Sequence, residues 1–197
     1  ASRGAAAEGL LGDGAAPSEP VPLFVLDADG APGTIIMGAP YHWTLRARIE
    51  GRAAHAGVEP EEGVSAIQIA AAAVATMPLG RIDECTTANI GRIEGGVAVN
   101  IVPAACELEG ECRSLFEDRV LAQRDAMTAA LEEAAERLGG TVEVAWELDY
   151  PAVVHEAGDA IVGHLEAAAA ACGLPVRHAV SGGGADANVL SAKGADA

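Results

Sequence analysis

The residues that could do chemistry lie in short, separate stretches. His55 sits in "EGRAAHAGVEPEEG" (50–63), a small-residue turn between an alternating run and an acidic one. A neutral imidazole there can donate a hydrogen bond to an oxygen on which charge develops. A solvated surface histidine is the plainer reading. Asp27 and Asp29 close "LFVLDADG" (23–30). A carboxylate at the carboxyl end of a strand can ligate a hard metal or act as a base, and Asp-Gly is also an ordinary turn former. "SGGGADAN" (181–188) sets three glycines before a helix start. Backbone N–H groups in such a loop can bind a carboxylate or phosphate, or the glycines can simply make a turn. No GK[ST] follows and the spacing is not GxGxxG, so neither nucleotide fingerprint is present. Asn100 interrupts the apolar run of "EGGVAVNIVP" (94–103), and Arg113 ends "ACELEGECR" (105–113). Asn100 fits a turn or a strand edge, and Arg113 fits charge balance on a solvated face. His42, His155, His164 and His178 have no partner at a useful spacing.

The elements that must position these residues follow from periodicity. "LFVLDADG" reads as a short buried strand feeding a turn, and "GAPGTIIMGAP" as linker. From about residue 41 the texture changes. "YHWTLRARIEG" alternates as a half-buried strand does. Residues 61–77 read as a helix with acids in its first turn. "TTANIGRIEGG" reads as a strand. In 105–113, Cys106, Leu108 and Cys112 face one way, while Glu107, Glu109, Glu111 and Arg113 face the other. A helix over about 116–138 carries the stripe Met127, Leu131, Ala134, Leu138. "TVEVAWELDY" (141–150) is a last alternating strand, and Pro151 follows it. A helix over about 157–172, the strand "VRHAV" and the glycine loop return to α/β texture.

The order across 41–150 is therefore β-α-β-β-α-β, the split layout of ferredoxin-like α+β domains. The fold class expected is an α/β domain, present in part and interrupted by an α+β ferredoxin-like domain. The boundaries are 1–40, 41–150 and 151–197.

Bulk properties agree with a packed protein. Of 197 residues, 50% are hydrophobic and only 3% aromatic, so the core is built from Ala, Val, Leu and Ile. The formal charge of −17 argues against a phosphate backbone as partner. Cys85, Cys106, Cys112 and Cys172 form no CxxC pair, and reduced thiols in a cytoplasmic protein are expected. No apolar run is long enough to span a membrane, and no signal peptide is evident at the first residues.

Four motifs occur in a known order and spacing: "GRAAHAGVEPEEGVSAI", "RIEGGVAVNIVP", "CELEGECRSL" and "SGGGADANV". On them the chain resembles the peptidase T-like (tripeptidase) branch of the dinuclear zinc exopeptidases, relatives of carboxypeptidase G and aminoacylase. The likeness covers nearly the whole chain and is strongest from about 23 to 190. It implies a zinc-binding α/β catalytic domain interrupted by a lid domain that forms a homodimer through an edge strand and a helix face. It implies that Asp27, or alternatively Asp29, is a zinc ligand. His55 would reach across the dimer to the scissile carbonyl oxygen of a short peptide. Asn100 and Arg113 would contact the substrate, Arg113 as a carboxylate clamp. Gly183 and Gly184 would cradle the substrate's carboxylate end. Ala185 stands where the family usually has Ser or Thr, so one hydrogen bond is missing. Two zinc ions with a glutamate base would carry the hydrolysis.

The same likeness marks departures. The family's H-x-D pair and later Asp lie upstream of any residue here, and its final histidine ligand downstream of 197. The catalytic Glu-Glu pair normally precedes a "GLLG"-like stretch; "GAAAEGLLG" offers Ala6, Ala7 and one Glu8, so the pair is either lost or left as Glu8 with a residue deleted. One candidate ligand cannot hold two zinc ions, so this chain alone is expected to be catalytically incompetent. The competing readings are a non-catalytic dimerisation module, and an amidase or deacylase on the same scaffold.

Overall fold

The computed structural model describes residues 22–27 and 30–197. Glu8 and Asp29 lie outside the described residues. The chain forms two compact units. One comprises the described residues up to 42, 114–117 and 149–197; the other comprises 43–113 and 118–148.

The second unit is built on a five-stranded sheet. Its strands are β2 (Tyr41–Glu50), β3 (Gly80–Arg81), β4 (Thr86–Gly95), β5 (Ala105–Ser114) and β6 (Thr141–Tyr150), in the order β3-β4-β5-β2-β6. The helices are α1 (Ala66–Thr76) and α2 (Glu117–Leu138). Alternation sets the two faces of the sheet. Leu45, Ala47 and Ile49 of β2, with Cys106, Leu108 and Cys112 of β5, are buried. Ala66, Ile69, Ala70 and Ala73 of α1 and Val120, Met127, Leu131 and Ala134 of α2 are buried as well. Leu138, the last residue of the expected stripe, is 39% exposed because the helix runs out there. Gly139 closes α2 at φ 78°, a left-handed geometry that a side chain resists.

The opposite face of the sheet is a lattice of charge pairs. Arg46 reaches Glu147 at 2.8 Å, Arg48 reaches Glu107 at 3.8 Å, and Arg92 reaches Glu109 at 2.7 Å. These pairs link β6 to β2, β2 to β5 and β5 to β4. They are exposed, and each contributes little to stability. On the covered side, the Arg124 guanidinium lies over the Trp43 ring at 4.1 Å and faces the Trp146 ring at 5.6 Å. That cation–π sandwich pins α2 to β2 and β6.

Helix α1 starts later than its acids suggest. Glu61 and Glu62 belong to a separate 3₁₀ turn, Pro60–Glu62. The helix is capped by Ser65, whose hydroxyl accepts the Gln68 N–H at 3.2 Å. Gly63 separates the two, and the serine is the stronger start signal.

The first unit holds a three-stranded sheet in the order β7-β1-β8. Its strands are β1 (Thr34–Ala39), β7 (Val153–Val154) and β8 (Arg177–Val180), followed or flanked by α3 (Ala160–Ala171) and α4 (Asp186–Ala192). β1 pairs antiparallel with β7 and parallel with β8, with Ile35 opposite His178. The central strand thus comes from "TIIMGA", inside the stretch whose flanking Gly and Pro read as linker. Conversely, "LFVLD" forms no strand, and the one parallel bridge there joins the preceding Pro22 to Asp196. Leu23 and Val25 pack on Leu190 and Ala195, while Leu26 is 94% exposed. The segment is half-buried rather than buried on both sides. No helix among the described residues is long and apolar enough to cross a membrane.

Candidate functional site

His55 and Asn100 are stitched together by backbone. His55 forms an antiparallel bridge with Ile101. The Ala56 N–H donates to the Asn100 carbonyl at 3.0 Å, and the Val102 N–H donates to the Ala54 carbonyl at 2.9 Å. The turn after the histidine closes on its own carbonyl, which accepts the Val58 and Glu59 N–H groups at 3.1 Å each. Two loops that are 45 residues apart in sequence therefore form one rigid tip, and both side-chain bearers are exposed.

The ring of His55 is also oriented. The Gly57 N–H donates to its Nδ1 at 3.2 Å. In the neutral ring Nδ1 is then the acceptor, so the proton resides on Nε2. The exposed edge of the imidazole is a hydrogen-bond donor, the form that an oxygen ligand needs.

Arg113 lies at the end of β5 and is held by Glu111, with Nη2 to Oε2 at 2.6 Å. Its fork already engages a carboxylate, which restrains the guanidinium and shows what chemistry it suits. Asp27 is exposed at the end of the half-buried segment.

The glycine loop is more internally bonded than its sequence suggests. The Gly183 N–H donates to the Ser181 hydroxyl at 3.0 Å. The Gly184 N–H donates to the Tyr150 hydroxyl at 3.2 Å. The Ala185 N–H donates to the Asn188 side-chain oxygen at 3.0 Å. The last is half of a capping box, since Ala185 has no side-chain oxygen to return the bond. A Cβ on Gly184 would overlap the Tyr150 ring, so only glycine fits there. Tyr150 and Asn188 were not singled out by motif reading. The available signals were an Asn three residues after the loop, at the N3 position of a helix, and a Tyr directly before Pro151.

Three of the other four histidines have carboxylate neighbours. His42 faces Asp149 at 3.4 Å, His155 faces Asp159 at 3.4 Å, and His178 faces Glu166 at 2.9 Å. Among the described residues no group of three or more His, Cys, Asp or Glu could hold a metal ion. The described donors by themselves therefore do not make a zinc centre. All four cysteines are free.

Comparison with known proteins matches this geometry to a family. The peptidase dimerisation domain of M20 matches residues 39–138, just over half of the chain. The uncharacterised protein YqjE of Bacillus subtilis is 50% identical over 171 residues, covering 87% of this chain and 46% of its own length. The crystal structure of aminopeptidase PepT from Bacillus cereus is 46% identical with a TM-score of 0.81, covering 86% of this chain and 45% of that one. A tripeptidase from Staphylococcus aureus is 42% identical with a TM-score of 0.83, covering 87% and 46%. The chain thus spans about half the length of the relatives it matches. It belongs to the M20 peptidase family by its dimerisation domain.

Proposed function

We propose that this chain is the lid, with flanking catalytic-domain segments, of a zinc aminopeptidase that removes N-terminal residues from short peptides, tripeptides among them. In this reading residues 41–150 are the ferredoxin-like lid, and 1–40 and 151–197 belong to the interrupted catalytic domain. The observation that carries it is the His55–Asn100 tip. A histidine whose Nδ1 is tied back, and whose Nε2 proton points outward, is prepared for an oxygen that its own loop does not contain. His55 serves the scissile carbonyl in a partner subunit. Asn100 and Arg113 hold the substrate, Arg113 through a carboxylate. Gly183 and Gly184 border the substrate's carboxylate end. Asp27 contributes to a zinc site whose other donors lie outside the described residues, and the chain alone is inactive. A cytoplasmic homodimer is the working form.

The edge of the lid supports self-association. β3 pairs with β4 only at Thr87 and Ala88, so most of the outer edge of β4 runs past its short neighbour. Next to it Ile67, Ile93, Val97 and Val99 are 39%, 52%, 87% and 105% exposed. An unpaired edge beside exposed apolar residues suits a two-fold copy of itself.

A dimerisation module without catalysis is the second reading, favoured by the absence of a metal donor cluster among the described residues. One experiment separates the two. The complete reading frame around this chain is expressed, loaded with zinc and assayed on trialanine, N-acetylalanine and N-carbamoylalanine. Release of N-terminal alanine from the tripeptide alone supports the peptidase. Turnover of the acylated substrates alone points to an amidase, and a dimer inert to all three leaves the module. The 197-residue chain itself should bind zinc no tighter than an isolated carboxylate in calorimetry.

A further inference from the structure

The chain leaves the first unit after His42 and, apart from a short return at 114–117, rejoins it at Asp149. The glycine loop is fastened to both of these ends. Asn188 is fully buried, and both its amide nitrogen and its oxygen are hydrogen-bonded inside the unit. Its amide Nδ2 donates to the Pro151 carbonyl at 2.8 Å and to the Pro40 carbonyl at 3.4 Å, while its Oδ1 accepts the Ala185 N–H at 3.0 Å. Tyr150 is the second fastening. Its hydroxyl accepts the Gly184 N–H at 3.2 Å and its ring fills the space a Cβ on Gly184 would need. The ring is itself backed by His42, with centroids 5.3 Å apart, and His42 is paired with Asp149 at 3.4 Å. Pro40, His42, Asp149, Tyr150 and Pro151 therefore converge on one short loop through two side chains.

A buried amide with three partners specifies geometry more than it adds stability, because any displacement leaves donors unpaired in a dry site. The same holds for a phenol wedged against a glycine. We propose that Tyr150 and Asn188 are positioning residues, which lock the backbone of Gly184 and Ala185 onto the two chain crossings and so set the shape of the substrate loop. Neither side chain needs to touch the substrate. The inference rests on the reading of Gly183 and Gly184 as substrate-bordering, and it deepens that reading.

The test uses the full-length protein with Tyr150→Phe, Asn188→Ala and, as a control for general destabilisation, Val162→Ala in the core of α3. Amide hydrogen exchange at residues 183–185 is read beside KM and kcat for a tripeptide. Losing one hydrogen bond should speed exchange at Gly184 in Tyr150→Phe by about tenfold. Asn188→Ala should speed it at Ala185 by at least as much. KM should rise about tenfold in both, with kcat within about twofold, the signature of lost substrate fit rather than lost chemistry. Val162→Ala should lower the melting temperature and leave exchange at 183–185 unchanged. Loop exchange at wild-type rates in Tyr150→Phe and Asn188→Ala overturns the proposal. So does faster exchange with an unchanged KM in a protein that cleaves tripeptides. If Asn188→Ala does not fold, Tyr150→Phe decides alone. If the wild type cleaves no peptide, the peptidase reading falls while the exchange data still decide the fastening.

Discussion

Single residues show how far local pattern reaches. The shared parity of Cys106, Leu108 and Cys112 is visible in nine consecutive letters, and all three are buried. Tyr150 and Asn188 were not visible in that way, because their partners lie 34, 37 and 148 residues off. No period or propensity links such positions. The burial of the cysteines also makes a chemical prediction. Burial pushes the Cys112 thiol up from 9.0 to about 12 and raises that of Cys106 as well. Thiolates are the reactive form, so iodoacetamide at pH 8 should label exposed Cys172 first and leave Cys106 and Cys112 intact. Mass spectrometry of native and urea-unfolded protein checks this. The sign of the linkage follows from the raised pKa. The neutral thiol is favoured in the fold, so Cys112 supports stability below pH 9 and withdraws that support as pH rises from 9.0 towards about 12.

Elements were predictable where a long period repeats and opaque where Gly and Pro crowd. The 22 residues of α2 and the ten of β6 fall within a residue of their expected bounds. β1 was concealed by Pro32, Gly33, Gly38 and Pro40, although it is the central strand of its sheet. A short strand with such flanks is recognised only once its neighbours β7 and β8 are in place, and both lie more than a hundred residues downstream. Between β3 and β4 the turn depends on one carboxylate. Asp83 accepts the Cys85 N–H at 2.8 Å and the Thr86 hydroxyl at 3.0 Å, and Arg119 lies 3.4 Å away. The backbone bond from Cys85 is the main reason its pKa falls below the ordinary 3.8. Its contribution is complete above the unfolded value of 3.8 and is lost as pH drops through the lower folded value. Asp83→Asn should therefore loosen the β3–β4 turn at pH 7 and show less acid sensitivity than wild type between pH 4 and 2. Exchange of the Cys85 amide measures it.

For the whole molecule, the insertion of one unit in another was expected from texture alone, and the structure divides into two compact units. The candidate site was only partly recoverable. His55 and Asn100 meet through backbone pairing across loops, which sequence order does not reveal, while the metal donors have no cluster among the described residues. If His55 serves a partner's site, two inactive full-length variants should complement each other. Mixing His55→Ala with Gly184→Val, after dissociation and reassociation, should restore about a quarter of wild-type activity, since half the dimers are mixed and each has one intact site. No recovery above either variant alone would place His55 in its own subunit's site.

The two crossings bear on how the chain can fold at all. β1 and β8 must find parallel register across some 140 residues of intervening chain. A search over a coil of that length is entropically steep and slow. Yet β2 and β6 are neighbours in the five-stranded sheet, and the pairs His42–Asp149 and Arg46–Glu147 bring their outer ends together. Once the inserted unit is complete, the long excursion behaves as a tight turn. The closure entropy for β1 and β7 then falls by about 2–3 kcal/mol, the difference between a loop of about a hundred residues and one of a few. Closing the host strands is therefore least costly once the insert is complete, with the paired β2 and β6 acting as its clasp.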